Sequence, residues 1–479
     1  MRAVKAAEGV LLAAIALSAA SALLWWRVRE IPLPQAAIAG RDGATGRKAV
    51  SEAAKIGEFF ESFSALAPGE EAAKFPDWPQ FRGPARDNAA SSEAELDYDL
   101  ENAKVLWRIP LGEGYSAPAI YKNRVYILDY DEEKEADSLR CFSLADGREL
   151  WRRWYAVKVR RNHGKSRTTA GVFDGAAVTI GPMGHVMCAD AISGDFRWGF
   201  DLAGEFGSEV PQWYCGQCPA ADSGEAVVAP AGKDVLMMGV DLKSGRINWK
   251  TPNPGGLKMS HSSVMPMEIL GKRQFVYCAA GGIAGVSAEE GDRGRLLWTS
   301  REWKPNVFAP SPVKISENRI FLTAGYGAGG AILEISNDGA WDAKIVKSWK
   351  AKNGPACEQQ TPVIFNGRLF TILPKDAGGL NSLLAACDMS KDCEIAATSP
   401  RGTRFGIGPY MSVNDRLLVL DDDGRLYVLR DGADSITVES SRKFFDGGDS
   451  WGPMAFSDGR LILRDSKEMA CLDIRRRKE

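Results

Sequence analysis

Two of the three histidines in this 479-residue chain, His163 and His261, fall in short polar stretches that also carry Arg161, Lys165, Arg167 and Lys258. Guanidinium and ammonium groups beside imidazoles suit an anion, because a guanidinium can hold a carboxylate through two parallel hydrogen bonds. Comparable stretches further along hold Trp213 and Tyr214, Gln359, Tyr410 and Trp451. These eleven residues are the candidate binding set, for a protein partner or an anionic small molecule. The plainer alternative is a set of solvated loops and hydrogen-bonded turn residues.

Cys215-Gly216-Gln217-Cys218 is the one compact cysteine motif. A zinc site would need a second pair of ligands at suitable spacing, and none lies nearby. A redox pair of the thioredoxin kind belongs at a helix N-terminus, whereas this one enters a β-rich run. A local disulfide, two plain thiols and a redox pair all stay open, and the odd total of nine cysteines leaves at least one unpaired within the monomer. Cys141, Cys188, Cys387 and Cys471 recur at similar repeat positions and read as core, and His185 reads as a hydrogen-bonded structural residue.

Catalytic constellations are lacking. No Gly-x-Ser-x-Gly elbow occurs, neither His163 nor His261 has a sequence-readable aspartate partner, and the polar stretches lack the paired carboxylates of a glycosidase. Asp129 to Asp137 and Asp421 to Asp423 lack the spacing of a calcium loop and read as solvated hairpin ends. No catalytic or metal-binding residue is assigned, so binding is expected rather than catalysis. A net charge of −2 offers no footprint for nucleic acid.

Repeated strands must position these groups. Eight times a turn pair such as Lys122-Asn123, Asp174-Gly175, Gly271-Lys272 or Asn366-Gly367 precedes a short β-rich run. Asn, Asp and Gly tolerate the positive φ of two-residue hairpins. The runs begin at Arg124, Ala176, Glu225, Arg273, Arg319, Arg368, Arg416 and Arg460, which are 44 to 52 residues apart. That period predicts an all-β, eight-bladed propeller of four-stranded antiparallel blades. The polar stretches precede each blade's first strand and would line the mouth of the central channel.

In phase with the hairpins, turn segments end at Trp151, Trp198, Trp249 and Trp298, with a degenerate copy at Trp349. These indoles are expected to wedge between neighbouring blades. The last copy stops after its third strand, and the segment around Trp107 is expected to supply the missing strand and close the ring.

The spacing Asp-x-x-x-Gly-x-x-x-Trp, as in Asp190 to Trp198 and Asp241 to Trp249, resembles the repeat of the pyrroloquinoline-quinone-like propellers. Trp78-Pro79-Gln80-Phe81-Arg82-Gly83-Pro84 is similar to the lead-in of exported bacterial members. The quinone-dependent dehydrogenase branch would imply that quinone with calcium, held by adjacent cysteines, a tryptophan floor, carboxylate and amide ligands and an aspartate base. This sequence has no Cys-Cys pair, and Glu358 stands nearly alone among the entrance stretches. The non-enzymatic branch, similar to the propeller subunit of the outer-membrane protein assembly machinery, implies a scaffold with no cofactor. That subunit is a lipoprotein, and no cysteine precedes position 141 here.

At the N-terminus an uncharged run from Gly9 to Trp26 lies between Arg2 and Lys5 on one side and Arg27 and Arg29 on the other. Trp25-Trp26 before arginines favours an uncleaved anchor, while Ala20-Ser21-Ala22 would permit cleavage. Residues 1–30 are therefore expected to be a signal-anchor or transmembrane segment, placing the propeller in the periplasm or otherwise outside the cytoplasm. Residues 31–74 read as a linker with an amphipathic helix over Lys48 to Leu66, ended by Ala67-Pro68-Gly69. Residues 75–103 are the lead-in and 104–479 the propeller.

Overall fold

The structure, a computed structural model, describes residues 18, 56–160 and 165–476. The chain divides into two units, Met1–Arg47 and Lys48–Glu479. Among its described residues the second contains eight sheets, one per predicted repeat, whose blade strands all pair antiparallel. In blade 1 the strands Ala119–Tyr121, Arg124–Asp131, Ala136–Ser143 and Glu149–Ala156 run in order from the channel outward. In blade 2 they are Gly171–Phe173, Ala176–Ile180, His185–Asp190 and Phe196–Asp201. Six of the eight inner hairpins turn on residue pairs that both have positive φ, among them Asp174-Gly175 at 47° and 74°. The fourth turns on Leu270-Gly271, one residue earlier than expected, because Lys272 already belongs to the next strand.

The ring closes as the sequence predicts. Lys104–Pro110 pairs antiparallel with Glu468–Asp473, Trp107 opposite Cys471, and so becomes the outer strand of blade 8. The apolar core is divided among the blade interfaces, and Cys141, Cys188, Cys387 and Cys471 are buried in it.

The tryptophans pack between neighbouring blades as expected, and three of them also bond across to the next blade. Trp107, Trp151 and Trp198 lie on the turn glycines of the following blade, Gly147, Gly194 and Gly245, where a Cβ would stand 2.9, 2.7 and 2.6 Å from the ring. Their indole nitrogens donate to the next blade's Leu144, Ile192 and Leu242 carbonyls at 3.0–3.1 Å. Trp249 also covers the next blade's Gly294, but donates to Glu225 of its own blade. Trp298 instead donates to Gln274 within its blade and Trp349 to Pro355 six residues on, yet both rings pack in core shared with the next blade, Trp298 with Ile320 and Leu322 and Trp349 with Leu369 and Ala385.

Two expectations are overturned. The described part of the predicted helix contains a strand, Phe59–Ser62, paired with Glu149–Ala156 so that Phe59 meets Trp154 and Ser62 meets Trp151. It caps the outer edge of blade 1, a pairing across about ninety residues that a helical spacing of apolar residues cannot announce. Pro68, expected to stop a helix, instead starts the short helix Pro68–Ala72, a position where its missing N–H costs nothing. The acidic segments are not wholly solvated either: Asp129, Asp137 and Asp421 are buried. Asp129 pairs with Arg140 at 2.8 Å, and Asp137 accepts from Tyr155 and Ser166.

The run Gly9–Trp26 lies outside the described residues except for Ser18, which is helical. Among the described residues no helix is long and apolar enough to cross a membrane.

Candidate binding site at the channel mouth

The lead-in segment is built into the ring. Trp78 and Ile120 of blade 1 exchange backbone hydrogen bonds of 2.8 and 2.9 Å, and the Pro79 carbonyl accepts from Val172 of blade 2. Arg82 then donates to Thr361 and Pro362, which enter blade 6, and to Arg86 and Asp87 of its own loop. Arg86 reaches the Pro219 and Val264 carbonyls, which enter blades 3 and 4. Asn88 donates to Tyr410 of blade 7, and Ala89–Ala90 runs parallel to Tyr410–Val413. One loop thus ties six blades together from inside the channel. Both arginines are about 5% exposed, and burial draws their pKa values down to about 10, which leaves them charged. Their positive charge is spread over a ring of carbonyl oxygens, so no carboxylate is required. Arg82, Arg86 and Asn88 all have positive φ, between 58° and 65°, a strained backbone held by these bonds.

Beside this loop, at the entrance end of the blades, is a cavity of about 350 Å³. Phe81 lines its inner side, and every blade entrance contributes to its wall, from Tyr115 of blade 1 to Trp451 of blade 8. Tyr115 and Trp451 stack at 4.6 Å, and Trp213 and Tyr326 stack at 5.4 Å. Arg167 lies among Tyr115, Tyr214 and Tyr326, and burial draws its pKa to about 10. His261 is driven down to about 3, first by burial and then by the Arg167 charge, so its imidazole is neutral at physiological pH. Burial raises the Glu358 carboxyl, and Lys375 opposes that shift. Among the described residues the cavity therefore offers two cations, one carboxyl and two aromatic stacks, a composition able to seat an aromatic or aliphatic anion.

The site does not fit metal or thiol chemistry. Among the described residues Glu358 is the one carboxylate lining the cavity, with Gln359 and Gln360 as neutral oxygen donors, a sparse set for an ion that takes six to eight oxygens. Among the described residues no group of three or more His, Cys, Asp or Glu is placed to hold a metal ion. Cys218 lines the cavity and accepts from the Thr169 amide at 3.2 Å, while Cys215 lies 3.4 Å from the Met259 sulfur. Both are free thiols; burial pushes Cys215 up to about 12 and raises Cys218, the reverse of an activated thiolate.

Of the predicted set, Arg167, Trp213, His261, Gln359 and Trp451 line the cavity. Lys165 is buried against Tyr130 and paired with Glu132, and Lys258 pairs with Glu209 at 2.9 Å, so neither lines it. Tyr214 is buried with its hydroxyl on the Arg160 carbonyl, and Tyr410 packs beside the lead-in loop. Arg161 and His163 lie outside the described residues. Tyr326 and Lys375 are residues that the sequence reading missed: they come from loops between second and third strands, which reach the same end of the ring as the entrances. Phe81 was missed because it belongs to the lead-in. The Trp-Pro-Gln-Phe-Arg-Gly-Pro segment was the available signal for it.

The model of the family described as outer membrane protein assembly factor BamB matches residues 135–375, about half of the sequence. The chain belongs to this family. BamB from Moraxella catarrhalis has the same fold, with a TM-score of 0.52 and 13% identity over 79% of this chain and 99% of that one. The quinohemoprotein alcohol dehydrogenase of Comamonas testosteroni matches with a TM-score of 0.56 and 11% identity, covering 85% of this chain and 82% of its own. A quinohemoprotein alcohol dehydrogenase from Pseudomonas putida HK5 gives 0.54 and 11%, over 84% and 81%. At these identities the likeness is one of fold, which BamB and the dehydrogenases share. No curated protein matches the sequence.

Proposed function

We propose that this chain is a binding propeller of the cell envelope, tethered by its N-terminal apolar run, whose channel mouth receives an anionic group of a small molecule or of a partner's loop. The observation that carries this reading is the meeting of Arg167, Lys375 and two aromatic stacks in a cavity backed by Phe81. With the lead-in loop spanning the channel behind it, the mouth is a seat rather than a pore. Membership of a family described by an outer-membrane assembly factor supports binding and an envelope location. Titration with anilinonaphthalene sulfonate, an aromatic anion, tests it. Losing a desolvated charge-assisted contact should weaken binding about tenfold in the Arg167→Ala/Lys375→Ala variant. Lys258→Ala, outside the cavity, should leave it unchanged. Equal affinity in all three proteins would remove the reading.

The second reading, a quinone-dependent dehydrogenase, draws on the dehydrogenases that share the fold. The lone Glu358 and the separated Cys215 and Cys218 speak against it. Pyrroloquinoline quinone with calcium and a dye acceptor should give neither an absorption shift nor dye reduction; either response would restore it.

A further inference from the structure

We infer that the outer rim of blades 1 and 2 is a membrane-facing surface, which the strand Phe59–Ser62 lays against phospholipid headgroups. This rests on the proposed tether. Eight large apolar side chains are exposed among the described residues, and five of them sit on this rim: Phe59, Phe60, Phe63, Ile192 and Phe196, each 37–50% exposed. Scattered single apolar residues need no account, but a cluster marks a surface meant to be covered.

The five flank the two faces of this edge strand, Phe60 with Ile192 and Phe196 on the side of blade 2 and Phe59 with Phe63 on the other. Phe60 lies on Gly194, between Ile192 and Phe196 in sequence, with ring carbon 2.7 Å from where a Cβ would stand. The Phe196 ring lies against Gly57, just before the strand. Phe59 stacks on Trp154 at 5.6 Å. Two part-exposed cations lie over rings, Lys134 over Trp154 at 4.6 Å and Arg152 over Phe63 at 5.0 Å, while Arg153, 4.6 Å from the Phe60 ring, is buried and donates to the Gly194 and Gly57 carbonyls. Glu61 lies 3.9 Å from Arg152, so the rim is amphipathic rather than purely basic.

Aromatic rings flanked by Lys and Arg have the composition of side chains that settle at the headgroup level, rings toward the acyl boundary and cations among the phosphates. An outer strand of a sheet is ordinarily blunted by charge, whereas this one presents Phe59 and Phe60. The chain itself favours a bilayer over a protein partner. The run Gly9–Trp26 ends 33 residues before Phe59, so the rim is where the chain from the tether joins the propeller. Tethering gives that rim a high effective concentration of membrane.

The test uses the full chain with Phe63→Cys carrying a nitroxide label. The native cysteines are all buried and compete little for the reagent. The protein is reconstituted into vesicles of equal parts phosphatidylcholine and phosphatidylglycerol and checked by flotation. The label should be more accessible to oxygen than to a nickel chelate. The same label at Val346→Cys, on blade 5 across the ring, should show the reverse order. If the protein does not float, tether and rim contact both fall. Floating with position 63 as water-accessible as position 346 keeps the tether and overturns the rim contact. A label shielded from both reagents means that protein covers the rim, and also overturns it.

Discussion

The guanidinium of Arg82 donates to the carbonyl of Thr361, 2.7 Å away and 279 residues later in the chain. A residue that precedes the propeller in sequence is thereby fixed to blade 6, and its other bonds hold Pro362, Arg86 and Asp87. The entrance cavity keeps its Phe81 side only while this loop stays in place.

Arg82→Met should therefore be costly out of proportion to its size. It strips four buried or half-buried carbonyls of a charged donor, and each unsatisfied group costs on the order of 1–3 kcal/mol, so a loss of about 4 kcal/mol is expected. Urea unfolding measures it. A loss below about 1 kcal/mol would mean that the loop is peripheral to the ring.

The two kinds of tryptophan should separate in stability. Trp151→Phe removes a donor that crosses to Ile192 in the next blade, and should cost about 2–3 kcal/mol. Trp349→Phe removes a bond to Pro355 six residues away, from a ring still partly solvated, and should cost about 1 kcal/mol. Equal midpoints for the two variants would contradict the division of the ring described above.

Asp137 should make stability depend on pH. Burial raises its carboxyl to about 7, against hydrogen bonds from Tyr155 and Ser166 that lower it. A raised carboxyl pKa stabilises the fold below the unfolded value of about 4, and that stabilisation drains away as pH rises toward 7. Relative to the wild type, Asp137→Asn should gain stability between those values, by up to a few kcal/mol, and then hold a constant difference above pH 7. Thermal unfolding from pH 4 to 8 reads the difference. A difference independent of pH would show that Asp137 does not titrate in this window.

The thiols should be silent in the native state. All nine cysteines are free and buried, so a thiol reagent should label almost none before unfolding and all nine afterwards, with or without prior reduction. Two fewer reactive thiols in unreduced, unfolded protein, restored by reductant, would identify a disulfide, with Cys215 and Cys218 the pair to substitute first.

The architecture was legible because it repeats. A turn pair every 44 to 52 residues marks each blade independently, and an unexplained strand at Trp107 matches a missing one after Cys471. The site was half legible. Entrance loops announce themselves by position, so Arg167, Trp213, His261, Gln359 and Trp451 were found. Tyr326 and Lys375 were not, because loops of two different kinds meet at the same end of a blade and only one kind was followed. Phe59, Phe60 and Phe63 fit a helical spacing, and the strand that holds Phe59 and Phe60 is defined by Trp151 to Trp154, which local sequence cannot supply.

The pairing of Lys104–Pro110 with Glu468–Asp473 also sets an order of events. On a ribosome the first of these strands emerges hundreds of residues ahead of its partner, so until the end of synthesis the blades form an open arc with an unpaired edge at each end. The lead-in loop is made earlier still, and the later blades must assemble around it. A shortened C-terminus ending before residue 468 would leave the arc permanently open, exposing two strand edges suited to joining other copies end to end.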